Sequence, residues 1–93
     1  MSHAVADIAR IFADSRDPRL IESFLKQILT PDEYAAIGSR WELVRQLHEG
    51  RPQREIAKRL GLSLCKITRG SRELKKRDGA FRRVLEAEEK RHG

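Results

Sequence analysis

Ten lysine and arginine side chains crowd into residues 51–77: Arg51, Arg54, Lys58, Arg59, Lys66, Arg69, Arg72, Lys75, Lys76 and Arg77. Only Glu55 and Glu73 oppose them, so this stretch carries a net +8. The remaining 66 residues hold ten basic and twelve acidic side chains and sum to −2, so the +6 of the whole chain arises in one segment. A face that merely keeps a helix soluble mixes glutamate with lysine. Nearly pure positive sign over a short stretch is instead the electrostatic footprint of a surface that meets a polyanion.

The segment has a pattern beneath its charge. Ile56, Ala57 and Leu60 fall one turn apart on one helical face, and Leu64, Ile67, Ser71 and Leu74 repeat the spacing further on. Between them Gly61 can take the left-handed conformation that ends a helix, and Ser63 can cap the next with its hydroxyl. Two short helices joined by a three- or four-residue glycine turn make a helix-turn-helix. Its second helix would turn Cys65, Lys66, Arg69, Arg72 and Glu73 outward, a basic stripe suited to the major groove of double-stranded DNA. Against this stand two plainer readings, a solvated charged face and a basic surface that docks on an acidic protein; the match of apolar spacing and glycine turn favours DNA.

Catalytic and metal chemistry find little footing. Cys65 is the only cysteine, which excludes an internal disulfide and any zinc site built on several cysteines. His3, His48 and His92 are scattered, and none has a neighbouring Asp or Ser arrangement resembling a catalytic set, so no enzyme is expected. No run approaches the ~18 apolar residues of a membrane span. The N-terminus lacks the basic start and apolar run of a signal peptide, and a cytoplasmic protein is expected.

The elements that must position the basic segment read as helices throughout. Val5, Ile8, Ile11 and Phe12 predict a first short helix stopping near Ser15. Asp17 and Pro18, as N-cap and first helical residue, open a second, whose stripe of Leu20, Ile21, Phe24, Leu25, Ile28 and Leu29 is wide enough to be covered on more than one side. Thr30-Pro31-Asp32-Glu33 is a capping box that starts a long helix running to about Glu49 and stopped by Gly50, with Ile37, Trp41, Val44 and Leu47 as its stripe. At ~1.5 Å per residue that helix approaches 30 Å, more than a small domain needs, so it is expected to scaffold a dimer. Asp78 is expected to cap a last helix with Phe81, Val84 and Leu85 turned inward. The result is an all-α chain of six helices forming one domain, 1–93, with no repeat and no linker. A 93-residue core poor in aromatics is marginal alone, which again suits burial against a second copy.

Particular strings in this chain, Leu29-Thr-Pro-Asp-Glu33, Gly38-Ser-Arg40, Gln53-Arg-Glu55 and Ile67-Thr-Arg-Gly-Ser71 followed by Leu74-Lys75, resemble the tryptophan repressor family over roughly residues 27–76. The resemblance implies an intertwined homodimer, its core built from residues 1–50 and 78–93 of both chains and its DNA-reading heads from residues 51–77. It implies heads about one helical turn apart on operator DNA, with L-tryptophan, the corepressor, wedged behind the second motif helix and setting their spacing.

Carried over by position, Arg40 and Arg69 would sandwich an indole between guanidinium planes. Arg69 would also pair with the ligand carboxylate, helped by the Thr30 hydroxyl, and the carbonyls of Gln27 and Leu29 from the partner subunit would receive its ammonium. Gly70 fits this, since a glycine inside a helix costs ~1 kcal/mol relative to alanine and suggests something lies against bare backbone; close helix packing is the alternative. On the DNA side, Arg54 is expected to reach guanine, with Leu64, Cys65 and Lys66 at the base-facing start of the second helix, although Leu64 also suits a core position. Gln53, Lys58, Thr68 and Arg72 would hold phosphates.

Departures from the family pattern sharpen what to look for. The Gly50-Arg51-Pro52-Gln53 connection is one residue short, Pro52 stands where a serine cap is usual, Lys66 replaces a threonine, and the N-terminal arm is brief. Glu73 replaces a small residue in the pocket wall, where it could pair with Arg69 and fill the site or counter a ligand ammonium. The rival expectation is therefore a repressor of the same fold whose pocket is closed or takes another small ligand, independent of tryptophan. Trp41 is expected in the core of the long helix, with a place beside the ligand as the alternative.

Overall fold

Backbone hydrogen-bonding rules and the caps named above account for most of the helix boundaries. The computed structural model describes residues 3–76 and 79–92, with backbone alone at 92. Six helices follow one another among the described residues, without a strand: α1 (His3–Asp14), α2 (Pro18–Ile28), α3 (Pro31–His48), α4 (Gln53–Leu60), α5 (Leu64–Leu74) and α6 (Ala80–His92). Asp78, the expected cap of α6, lies outside the described residues. The chain divides into two compact units, Met1–Ala35 and Ala36–Gly93, with the division inside α3.

In the first unit, local hydrogen bonds set the helix starts. Asp17 Oδ1 accepts from the amides of Arg19 and Leu20 at 3.1 and 3.3 Å, with Pro18 at the first helical position where no amide is missed. The capping box forms in both directions: the Thr30 amide donates to Glu33 Oε1 at 2.8 Å and the Glu33 amide donates to Thr30 Oγ1 at 3.1 Å. Phe12 and Phe24 meet edge to face, their centroids 5.7 Å apart, and join α1 to α2. Yet neither helix holds a buried residue. Leu20 is 60% exposed, and Val5, Ile11 and Ile28 are also open to solvent.

The second unit has the denser core. Leu43 of α3, Ile56 of α4 and Ile67 of α5 interlock, with Leu47, Ala57, Leu60 and Leu62 packed around them. Ile56 and Ile67 are wholly buried, as their motif spacing predicts. Other stripe positions differ. Leu43 and Gln46 are buried in α3 beside the expected Val44, whereas Ile37 is exposed and Trp41 only half-buried. In α6 Leu85 is buried, but Phe81 and Val84 face outward, because one turn of that helix meets the core and its other apolar residues border an open groove.

Candidate nucleic-acid interface and ligand groove

The turn between α4 and α5 is built as its residues dictate. Gly61 sits at φ +64°, the left-handed region open to glycine, and Leu62 donates its amide to the Ala57 carbonyl at 3.1 Å, closing α4. Ser63 Oγ then accepts from the Lys66 amide at 3.3 Å and starts α5. Ile56 and Ile67 pin the two helices together from beneath. Every basic side chain described in this pair is left on the outer side.

Those cations are unequally engaged. Among the described residues, Arg54, Lys58, Lys66, Arg69, Arg72 and Lys75 are exposed and enter no ion pair, while Arg59 reaches Glu55 at 4.0 Å and Lys76 reaches Glu73 at 2.7 Å. Unpaired guanidinium and ammonium groups on a rigid helix pair can trade bound counterions for phosphates. Leu64, at 54% exposure, belongs to this outer surface and not to the core, because the α5 side that meets α3 and α4 passes through Ile67. Cys65 is exposed beside it. The Thr68 hydroxyl donates to the Leu64 carbonyl at 2.9 Å, so its one proton is engaged within the helix.

Between the C-terminal end of α5, the start of α6 and Trp41 of α3 lies a groove of about 510 Å³ lined by Trp41, Glu73, Lys76, Gly79, Ala80, Phe81 and Val84. Three apolar side chains, Trp41, Phe81 and Val84, make most of its wall. Glu73 contributes a carboxylate held below its ordinary range first by the hydrogen bond and charge of Lys76 and then, more weakly, by Arg69 and Arg72. The ion pair of Glu73 is thus with Lys76, a turn-end neighbour at i+3, and not with Arg69, one of the two alternatives its position offered. Trp41, expected mainly as core, is a wall of this groove.

Gly70 has a local explanation. A Cβ there would stand 3.0 Å from Leu43 Cδ2 and 3.5 Å from Leu47 Cδ1, so close packing of α5 on α3 favours glycine at this position. No group of three or more His, Cys, Asp or Glu among the described residues is arranged to hold a metal ion, and no described helix is long and apolar enough to cross a membrane.

Residues 5–89 match the family described as Trp repressor protein. The chain belongs to that family. Similar relatives, each called Trp operon repressor homolog, include one from Actinobacillus succinogenes, 48% identical over 61 residues, which are 64% of this chain and 60% of the relative. One from Vibrio vulnificus is 46% identical over 55 residues, 58% of this chain and 54% of the relative. A third, from Chlamydia trachomatis, is 37% identical over 71 residues, 75% and 76% of the two chains. The matched region thus spans little more than half the length of the first two relatives. No solved structure matches.

Within this Trp repressor family chain the expected ligand residues take these places. Of those in the second unit, Glu73 lines the groove, Gly70 packs on Leu43, and Arg40 and Arg69 are exposed on α3 and α5 without an ion pair among the described residues. In the first unit, Gln27 is in the last turn of α2 and Leu29 is its extended C-cap, so their carbonyls are among those a helix end leaves without intrahelical donors. The Thr30 oxygen accepts the Glu33 amide and keeps its own proton to donate.

Sequence reasoning missed a chain of alternating charges. Arg45 of α3 bridges Glu42 and Glu49, the residue after the helix, Arg51 bridges Glu49 and Glu55 at 3.4 Å each, and Arg59 follows on α4. Arg45 holds the Glu42 carboxyl below its ordinary range, with Gln46 assisting, and is itself held more firmly protonated by Glu42. The i+3 and i+4 spacings were visible in the sequence. The contact of His48 Nε2 with Glu89 Oε1 at 2.6 Å, joining α3 to α6, carried no such local signal.

Proposed function

We propose that the protein is a DNA-binding transcriptional repressor, working in the cytoplasm as a homodimer on operator DNA with L-tryptophan as corepressor, and with no enzymatic activity. The observation that carries this reading is the α4–α5 pair, a glycine-turned helix-turn-helix whose outer cations Arg54, Lys58, Lys66, Arg69 and Arg72 are unpaired among the described residues, in a chain of the Trp repressor family. In this reading Arg54 reads a guanine, Leu64, Cys65 and Lys66 line the base edges, and Gln53, Lys58, Thr68 and Arg72 hold phosphates, Thr68 by turning its hydroxyl out of the helix. The heads are residues 51–77, and residues 1–50 and 78–93 of two chains make the core. The uncovered stripes of α1 and α2 support a second copy, since apolar faces of that size need a cover. Arg40, Arg69 and Thr30, with the partner chain's Gln27 and Leu29 carbonyls, would hold L-tryptophan.

One observation favours a second form of the same reading. The Glu73–Lys76 ion pair and the Trp41 indole stand in the groove wall, which suits a pocket that is closed or tuned to another small ligand, with DNA binding independent of tryptophan. Selection of bound duplexes from a random pool, with and without L-tryptophan at fixed salt, separates them. A palindrome enriched only with tryptophan supports the corepressor; the same palindrome in both arms supports the closed pocket; no enrichment in either arm overturns repression through sequence-specific DNA binding.

A further inference from the structure

The connection between α3 and α4 is short and mechanically simple. Gly50 turns the chain at φ +86°, Arg51 anchors its amide on the Gln46 carbonyl at 3.2 Å, and Pro52 begins α4 as an N-cap that offers no side-chain hydrogen bond. The helix start therefore lacks the device that fixes α5, where Ser63 caps. In its place stands the Arg51 guanidinium, with Nε 3.4 Å from Glu49 Oε2 before the turn and Nη1 3.4 Å from Glu55 Oε1 after it. Arg45 extends the chain back to Glu42, and Arg59 extends it along α4. Six charges of alternating sign thus run across the elbow, and among the described residues Arg51 is the link that joins Glu49, the residue after α3, to Glu55 of α4.

We infer that Arg51 is a positioning residue: an ionic strap across the α3–α4 elbow that narrows the range of angles at which the helix-turn-helix is presented to DNA. Isolated exposed ion pairs contribute little because two long side chains must be ordered against screening, whereas a guanidinium fork shared by two carboxylates, each tied to a further arginine, loses less on ordering. The buried contact of Leu43 with Ile56 and Ile67 sets the mean angle, and the strap acts on the spread about it. Arg51 belongs to the basic segment, so the competing role is a phosphate contact. The two differ in sign at Glu55. If charge alone matters, removing the Glu55 carboxylate strengthens DNA binding; if the strap matters, removing it weakens binding.

The inference rests on the DNA-binding reading, and its test has an arm that does not. Trp41 on α3 and Cys65 on α5 are the only tryptophan and the only cysteine, on opposite sides of the elbow. Time-resolved energy transfer from Trp41 to an acceptor on Cys65 of the free protein should give a broader distance distribution in R51K, R51Q and E55Q than in the parent. On the selected duplex, with unlabelled protein, R51K and E55Q should each bind about fivefold more weakly, the scale of one networked pair, with an unchanged salt slope. Unaltered transfer together with tighter binding by E55Q, wild-type binding by R51K and a salt slope reduced by ~0.9 in R51Q would overturn the strap and make Arg51 a phosphate contact. Should no duplex be selected, the DNA reading fails separately, and unchanged transfer widths in the three variants would still sink the strap.

Discussion

The Cδ2 of Leu43 lies 3.0 Å from where a Cβ on Gly70 would stand, with its Cγ at 3.3 Å. Leu43 is buried among Ile56 and Ile67 and has little room to retreat. Gly70→Ala should therefore destabilise the fold: alanine regains ~1 kcal/mol of helix propensity, but crowding a packed core costs ~1–3 kcal/mol, leaving a net loss of about 1 kcal/mol. In a Leu43→Ala background the crowding is gone and Gly70→Ala should become stabilising. Chemical denaturation of the two singles and the double measures the coupling; additive effects would show that Leu43 is not what keeps position 70 a glycine.

The capping box makes a second prediction. Thr30→Ala removes the acceptor for the Glu33 amide and should cost about 1 kcal/mol, the usual worth of such a cap. The Glu33 carboxyl is held below its ordinary range first by the Thr30 amide and then by the Thr30 hydroxyl. Glu42 and Glu73 are lowered too, by Arg45 and Lys76. A carboxylate whose folded pKa is depressed stabilises the fold above its unfolded value and loses that contribution as pH falls through the folded one. Melting temperature should accordingly be flat near neutrality and fall below about pH 4, the ordinary carboxylate range. Glu33→Gln keeps a capping side chain without the charge, so its acid limb should be shallower than the parent's; an identical limb would remove Glu33 from the acid response.

How much of this was legible depends on how local the cause is. The caps at Asp17, Thr30 and Ser63, the left-handed Gly61 and the buried Ile56 and Ile67 follow from neighbours within four residues, and the sequence carries them. Trp41, Phe81 and Val84 were placed inward by periodicity, which finds the apolar side of a helix but not which part of that side a neighbour covers. Leu64 sits on the same period as Ile67 and is nevertheless exposed, because it starts its helix a turn before the core is reached. Glu73 has Arg69, Arg72, Lys75, Lys76 and Arg77 within four residues, and its choice of Lys76 is a matter of rotamers that spacing cannot rank.

Among the exposed cations, Arg54 and Lys58 should fail in different ways. Arg54→Ala should cost ~1–3 kcal/mol on the selected site and relax preference at one base position, while Lys58→Ala should weaken all duplexes alike and reduce the salt slope by ~1. Binding isotherms on the selected duplex and a scrambled one, at several salt concentrations, check both. An unchanged preference profile in Arg54→Ala would take Arg54 out of the base-reading set.

Glu73 lines the groove, so its replacement tests what the groove can hold. Its carboxylate and Lys76 stand in the wall beside Trp41, with the Arg69 and Arg72 charges acting on it from the same helix. Glu73→Ser deletes the ion pair together with the Cγ methylene and carboxylate, widening the wall where an indole would slide past Trp41. Calorimetric titration with L-tryptophan should then show several-fold tighter binding than in the parent, at two sites per dimer. Weaker binding in Glu73→Ser would mean that the carboxylate receives the ligand ammonium and leaves Lys76 to do so. No heat from either protein would instead favour the tryptophan-independent repressor, whose heads are set by the protein alone.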